Sequence, residues 1–197
     1  MLIHFDADSI VSAHSRWVCP EPRNPGTGLK GPQICDVDTD DFDSGDIQDV
    51  APGPLTVHFE ESVAHRGAPW RISLSGDGTD GADQSCLLLD HIPHDEDSNP
   101  TFRADSTYHD LYITIQIPDI SCEKCSLQLA NPMTDKIGSD GAPNGQGCTD
   151  PFGSCFSVYY SCTKSFRITG SSSAPRSSYP CPGQPSDWPT QVRKAPS

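Results

Sequence analysis

Short stretches in which apolar and polar residues alternate recur along the chain. Leu55-Thr56-Val57-His58-Phe59-Glu60, Trp70-Arg71-Ile72-Ser73-Leu74-Ser75 and Leu111-Tyr112-Ile113-Thr114-Ile115-Gln116-Ile117 each follow a period of two, which predicts strands that bury one face. Ser126-Leu127-Gln128-Leu129 and Phe156-Ser157-Val158-Tyr159-Tyr160-Ser161 add two more, the latter continuing towards Phe166-Arg167-Ile168. Asn-Pro dipeptides at Asn24, Asn99 and Asn131 mark turns between them, and 16 glycines and 19 prolines spread over the 197 residues argue against long helices. The pattern predicts a mainly β protein, an antiparallel β-sandwich with long loops.

Cysteine usage changes the picture from a generic sandwich to a secreted one. Nine cysteines are too many for an ordinary reduced cytosolic enzyme and fit a disulfide-stapled extracellular domain, with one thiol left free or paired between chains. Residues 14–35, rich in Pro and Gly and holding Cys19 and Cys35, read as a long surface loop pinned by a disulfide. Residues 36–49 carry Asp36, Asp38, Asp40, Asp41, Asp43, Asp46 and Asp49. An EF-hand would need glycine where Asp41 stands and a glutamate at its twelfth position, so a solvated acidic loop is the better reading. Beyond Gly170 the composition shifts to Ser and Pro, which divides the chain into a residual or mis-started leader (1–13), a β domain (14–170) and a tail (171–197) that Cys181 can pin. Residues 1–13 lack a basic n-region and a continuous apolar run, and Asp6 and Asp8 stand where a leader is apolar.

The formal net charge of −14 excludes nucleic acid and anionic membranes as natural partners, because both are bound by Lys and Arg. No run approaches the ~20 apolar residues of a membrane span. A secreted monomer is the expectation.

Candidate chemistry centres on His14. It follows Val11-Ser12-Ala13, a small-residue sequence that a signal peptidase could cut. A histidine at a free N-terminus offers an α-amine and an imidazole to one metal ion, and a further imidazole would complete a planar three-nitrogen site suited to copper. Among the seven histidines, His65 lies in the turn Ser62-Val63-Ala64-His65-Arg66-Gly67-Ala68-Pro69, where loops on a rigid scaffold build sites. His58 reads as a strand residue. His91 and His94, in Asp90-His91-Ile92-Pro93-His94-Asp95, fit a metal site or a turn, and His109 is the runner-up ligand.

Three segments, His65-Arg66-Gly67-Ala68-Pro69-Trp70-Arg71-Ile72, Ile117-Pro118-Asp119-Ile120-Ser121-Cys122-Glu123-Lys124-Cys125-Ser126-Leu127-Gln128-Leu129 and Phe156-Ser157-Val158-Tyr159-Tyr160-Ser161-Cys162, together resemble the lytic polysaccharide monooxygenases, in the order and spacing of their arthropod and oomycete branches. The resemblance spans residues 14–170. It implies an immunoglobulin/fibronectin-like sandwich, a copper cofactor on His14 and His65, and Tyr159, three residues before Cys162, as the axial aromatic. It further implies an external electron donor, dioxygen or hydrogen peroxide as co-substrate, and oxidative cleavage of glycosidic bonds. The chain departs from many relatives at Thr163-Lys164-Ser165, where they carry Ala-Asp-Ile/Val, and at Leu129, where they carry an aromatic.

The Cys122-x-x-Cys125 motif alone is equally open to zinc or redox readings, although Cys148, Cys155 and Cys162 do not supply a second pair at like spacing and structural disulfides fit better. His-Ser-Arg-Trp from His14, the His65 turn and the His91–His94 segment look most like the oomycete subgroup that attacks pectin, specifically homogalacturonan. Binding a polyanion would require Arg16, Lys30, Arg66 and Arg71 to gather near the copper face. Chitin or cellulose, laid over Trp17 or Trp70, avoids that requirement. Two other readings are a non-catalytic copper- or wall-binding protein of the same fold and a metal-free secreted effector.

Overall fold

The computed structural model describes residues 15–23, 29–30, 47–61, 65, 69–76, 86–94, 109–132, 158–173 and 178–181. Within them the strands are β1 (Ser15–Cys19), β2 (Leu29–Lys30), β3 (Gln48–Val50), β4 (Gly53–Glu61), β5 (Trp70–Ser75), β6 (Cys86–Ile92), β7 (His109–Ile117), β8 (Ser121–Pro132), β9 (Val158–Cys162) and β10 (Phe166–Thr169). No α-helix occurs among the described residues, so none is long and apolar enough to cross a membrane. A three-stranded sheet, β1-β4-β7, faces a seven-stranded sheet ordered β2-β9-β8-β10-β3, with β5 paired to β8 and β6 to β5. Pairing is antiparallel throughout except between β10 and β3, which run parallel. The fold is a β-sandwich, as the alternation predicts.

The alternation on β4 sets the core. Val57, Phe59 and Glu61 point inward while Thr56, His58 and Glu60 point out, and the partner β7 keeps the same parity with Ile115 and Ile117 inside. Across the slot, Trp70, Ile72, Leu74, Leu127 and Leu129 close the other wall. Phe59 bridges the sheets edge-on, its ring centroid 5.9 Å from Trp17 and 5.7 Å from Trp70.

Several expectations are corrected here. β5 is buried on both faces rather than one, because Arg71, Ser73 and Ser75 are also covered, with Arg71 compensated by Asp90. Residues 15–19 form a strand rather than part of a loop: Trp17 is an anchor in the core, its indole Nε1 donating to the Ser161 carbonyl at 2.8 Å. Cys19 carries a free, exposed thiol, so it does not pin that loop. The turn read over residues 90–95 is largely strand β6, which runs to Ile92 and is kinked where His91 takes φ 59°.

Cys122 and Cys125 are joined in a disulfide, which excludes the zinc and dithiol readings of that motif. A second disulfide links Cys86 to Cys181, and Tyr179 packs against the core beside it. Cys162 is also disulfide-bonded. Residues 1–14, the aspartates from 36 to 46, Cys35, Cys148 and Cys155 lie outside the described residues.

The end of β10 is fastened to the start of β8 by a tight junction. Gly170 N–H donates to the Ile120 carbonyl at 2.8 Å, and Asp119 accepts from both the backbone N–H and the hydroxyl of Ser171, each at 2.6 Å. A methyl group on Gly170 would stand 2.3 Å from the Ile120 oxygen and 2.4 Å from its nitrogen, both backbone atoms unable to yield. Gly170→Ala is therefore expected to destabilise the fold by about 1–3 kcal/mol, read from urea unfolding. The Ser171 hydroxyl, then its N–H, hold the Asp119 carboxyl below its ordinary value of 3.8. The stabilisation this gives is complete above the unfolded-state value and is lost as pH falls through the lower folded-state value. The stability difference between the native protein and Asp119→Asn should accordingly be flat at neutral pH and shrink only in strong acid, as followed by urea unfolding across a pH series.

Candidate functional site

One end of the sandwich gathers the beginning of β1, the end of β4, the beginnings of β5, β7 and β9, and the ends of β6 and β8. The register places Ser15 opposite Glu61, and Glu61 opposite His109. Trp70 pairs with Ile92, and Asn131 with Tyr159. Strand alternation therefore brings residues from seven strands to one pole, although they span the chain from 15 to 159.

His65 sits at this pole between β4 and β5, buried with 2% of its surface exposed. Its ring is nearly parallel to that of Tyr159, with 12° between the planes and centroids 6.5 Å apart, towards the long end of the ~4.5–7 Å seen for aromatic pairs. Tyr159 is half-buried at the beginning of β9, on the face of the large sheet that looks into the slot. Ser15, the first described residue of β1, is buried and stands opposite Glu61 in the register. Residue 14 lies one peptide bond, about 3.8 Å between Cα atoms, from that position; His14 itself is outside the described residues.

The pole also contains a buried acid that the alternation encodes but the motifs do not single out. Glu61 continues the inward parity of Val57 and Phe59 and is fully buried. His94 Nδ1 donates to its Oε1, and the His94 ring lies 5.1 Å from that of Trp70. His94 is thus tied to Glu61 from within the core, a buried polar pair of the kind that costs free energy unless satisfied. The other histidines divide. His109 begins β7 and is half-buried, His91 is exposed with its Nδ1 3.5 Å from the Asp90 carboxylate, and His58 lies on the outer face of β4, away from the pole.

Two expectations about substrate contacts are overturned. Trp17 and Trp70 are 1% and 0% exposed, core residues that offer no stacking surface. Arg71 is 2% exposed and donates Nη2 to Asp90 Oδ2 at 2.5 Å, while Asp90 Oδ1 accepts from the His91 N–H at 2.8 Å. Arg16 is paired with Glu60 at 2.5 Å. Two of the cations expected at a polyanion-binding face are therefore neutralised by carboxylates of the chain itself. The Lys30 side chain and Arg66 lie outside the described residues.

A buried imidazole with a phenol ring parallel to it offers nitrogen and weak oxygen donors, the kind that zinc, copper, iron or nickel takes rather than the carboxylate cage of calcium or magnesium.

No family model and no curated protein matches the chain. Among solved structures it is similar to the catalytic domain of a lytic polysaccharide monooxygenase from Listeria monocytogenes, at 16% identity and a TM-score of 0.35, over 64% of this chain and 61% of that one. The chain thus spans about three fifths of that domain. It is also similar to a polysaccharide monooxygenase of the CBM33 type, at 13% identity and a TM-score of 0.32, over 80% of this chain and 81% of that one.

Proposed function

We propose that the protein is a secreted, copper-dependent lytic polysaccharide monooxygenase acting on a cell-wall polysaccharide. The observation that carries this reading is the parallel stack of His65 and Tyr159 at the pole where β1 begins. These two residues are 94 positions apart and are the ones the sequence resemblance assigns to the metal. His14 would hold copper through its α-amine and its ring and His65 through its imidazole, with Tyr159 standing beside the His65 ring. The α-amine exists as a ligand only when residue 14 begins the mature chain. When bound, copper supplies the one-electron chemistry towards dioxygen or peroxide that ends in oxidative cleavage of a glycosidic bond.

The remaining groups at the pole support that arrangement. Pairing of Ser15 with Glu61 holds the chain beside His14 against β4. The hydrogen bond from His94 Nδ1 to Glu61 Oε1 occupies a buried carboxylate oxygen that would otherwise compete for the metal.

Homogalacturonan is the substrate the motif resemblance favours. A neutral polymer, chitin or cellulose, is the second reading, favoured by the pairing of Arg16 with Glu60 and of Arg71 with Asp90, which leaves less positive charge for a polyanion. Copper titration by calorimetry and electron paramagnetic resonance should compare protein beginning at His14 with protein retaining residues 1–13. Tight binding with a nitrogen-rich spectrum in the processed form alone supports the proposal, and equal binding by both forms overturns it. Release of oxidised oligosaccharides from pectin, chitin or cellulose then identifies the polymer. Copper binding without release from any of the three points instead to a non-catalytic copper- or wall-binding protein.

A further inference from the structure

The outer face of the small sheet holds a second group of metal-ligating side chains that the copper reading does not use. His58 and Glu60 are two residues apart on β4 and so share its outward face. Asp110 on β7 stands directly opposite Glu60 in the register, and Tyr112 directly opposite His58. One ligand atom from each of His58, Glu60 and Asp110 lies within 4.8 Å of the other two. At present His58 Nε2 donates to Asp110 Oδ1 at 2.6 Å, and Arg16 Nε donates to Glu60 Oε2 at 2.5 Å.

We propose that His58, Glu60 and Asp110 form a surface site for a divalent transition-metal ion of the zinc type, bound through one imidazole nitrogen and two carboxylate oxygens. Ligand distances of about 2.0–2.2 Å put neighbouring donors on a tetrahedral zinc ion roughly 3.4 Å apart. The His58–Asp110 pair needs to open by less than about 1 Å to reach that spacing, and Glu60 needs to approach by a side-chain rotation, with no change in the sheet. The Tyr112 ring stacks on the His58 imidazole at 4.2 Å and 16°, fixing its plane with Nε2 turned towards the carboxylates. Such orientation of a ligating histidine is part of what builds metal affinity.

Charge favours the exchange. Two carboxylates and a neutral imidazole balance a dication, and the chain's net charge of −14 draws cations to its surface. On binding, the ring proton moves from Nε2 to Nδ1, and the metal replaces the hydrogen bond to Asp110. The Arg16 guanidinium is displaced from Glu60; its side chain is 34% exposed and can turn into solvent. Three protein ligands leave a fourth position for water.

The site lies near the end of β4 on its outward face, one to three residues along the strand from Glu61, which points inward, and does not depend on the copper reading. Zinc calorimetry on the full chain tests it, with His58→Ala, Asp110→Asn and Arg16→Ala. The expected result is one saturable zinc event in the full chain, in which residue 14 has no free α-amine to complete the nitrogen site at the pole. His58→Ala and Asp110→Asn should each weaken it about tenfold or more, and Arg16→Ala should tighten it by removing the competing cation. Asp110 has a side chain 56% exposed, so Asp110→Asn keeps the test sound should His58→Ala fold poorly. Absence of saturable zinc binding, or binding unchanged in both ligand variants, overturns the proposal whatever copper does at the pole.

Discussion

In protein beginning at His14, His65→Ala is expected to lower copper affinity by at least about a hundredfold and to abolish release of oxidised oligosaccharides. Losing a partner that merely orients a ligand costs about 10–100-fold, so losing a ligand outright should cost more. The comparison is clean because Tyr159→Phe keeps the ring that lies parallel to His65 and removes only the hydroxyl, and should retain most of the affinity. His65 is buried, so the variant needs a thermal melt without copper to separate loss of folding from loss of a ligand. If His65→Ala folds and binds copper as tightly as the parent, the ligand set proposed here is wrong, and the enzyme reading goes with it.

The largest effect on the fold itself is expected from Phe59→Ala, at about 3–5 kcal/mol in urea unfolding. Phe59 is fully buried and touches an aromatic ring on each side, Trp17 of β1 and Trp70 of β5, so truncation opens a void between the two sheets. Edge-on aromatic pairs add about 0.5–1.5 kcal/mol beyond burial, which places this site towards the upper part of the range. Phe59→Leu, which keeps much of the volume, should cost clearly less. Equal losses for the two variants would mean that the rings, rather than the filled space, hold the sheets together.

These two sites differ in how far the sequence reveals them. Strict alternation of apolar and polar residues makes β5 legible to the residue and β4 and β7 nearly so, although the burial of β5 on both faces is not written in that period. β6 opens on the unbroken run Cys86-Leu87-Leu88-Leu89, which carries no period, and then bends at His91, so its end resembles a turn. β1 is only five residues long and sits beside a Pro- and Gly-rich run that masks its alternation. The parallel pairing of β10 with β3 joins positions more than a hundred residues apart, and no local pattern encodes it. At the pole, the family resemblance singles out His65 and Tyr159, and parity alone could have found Glu61 facing inward with Phe59. The burial of Trp17 and Trp70 and the neutralisation of Arg71 by Asp90 depend on strands meeting across the fold, and composition therefore overstates the aromatic and basic surface available to a polymer.

The Cys86–Cys181 disulfide encloses a sequence separation of 95 residues, from the first residue of β6 into the last described turn. A single cut anywhere inside that span would leave two polypeptides still covalently joined, running as one band on a gel until reductant is added. Nicked and intact molecules would thus co-migrate under oxidising conditions, and a gel would report their ratio only after reduction.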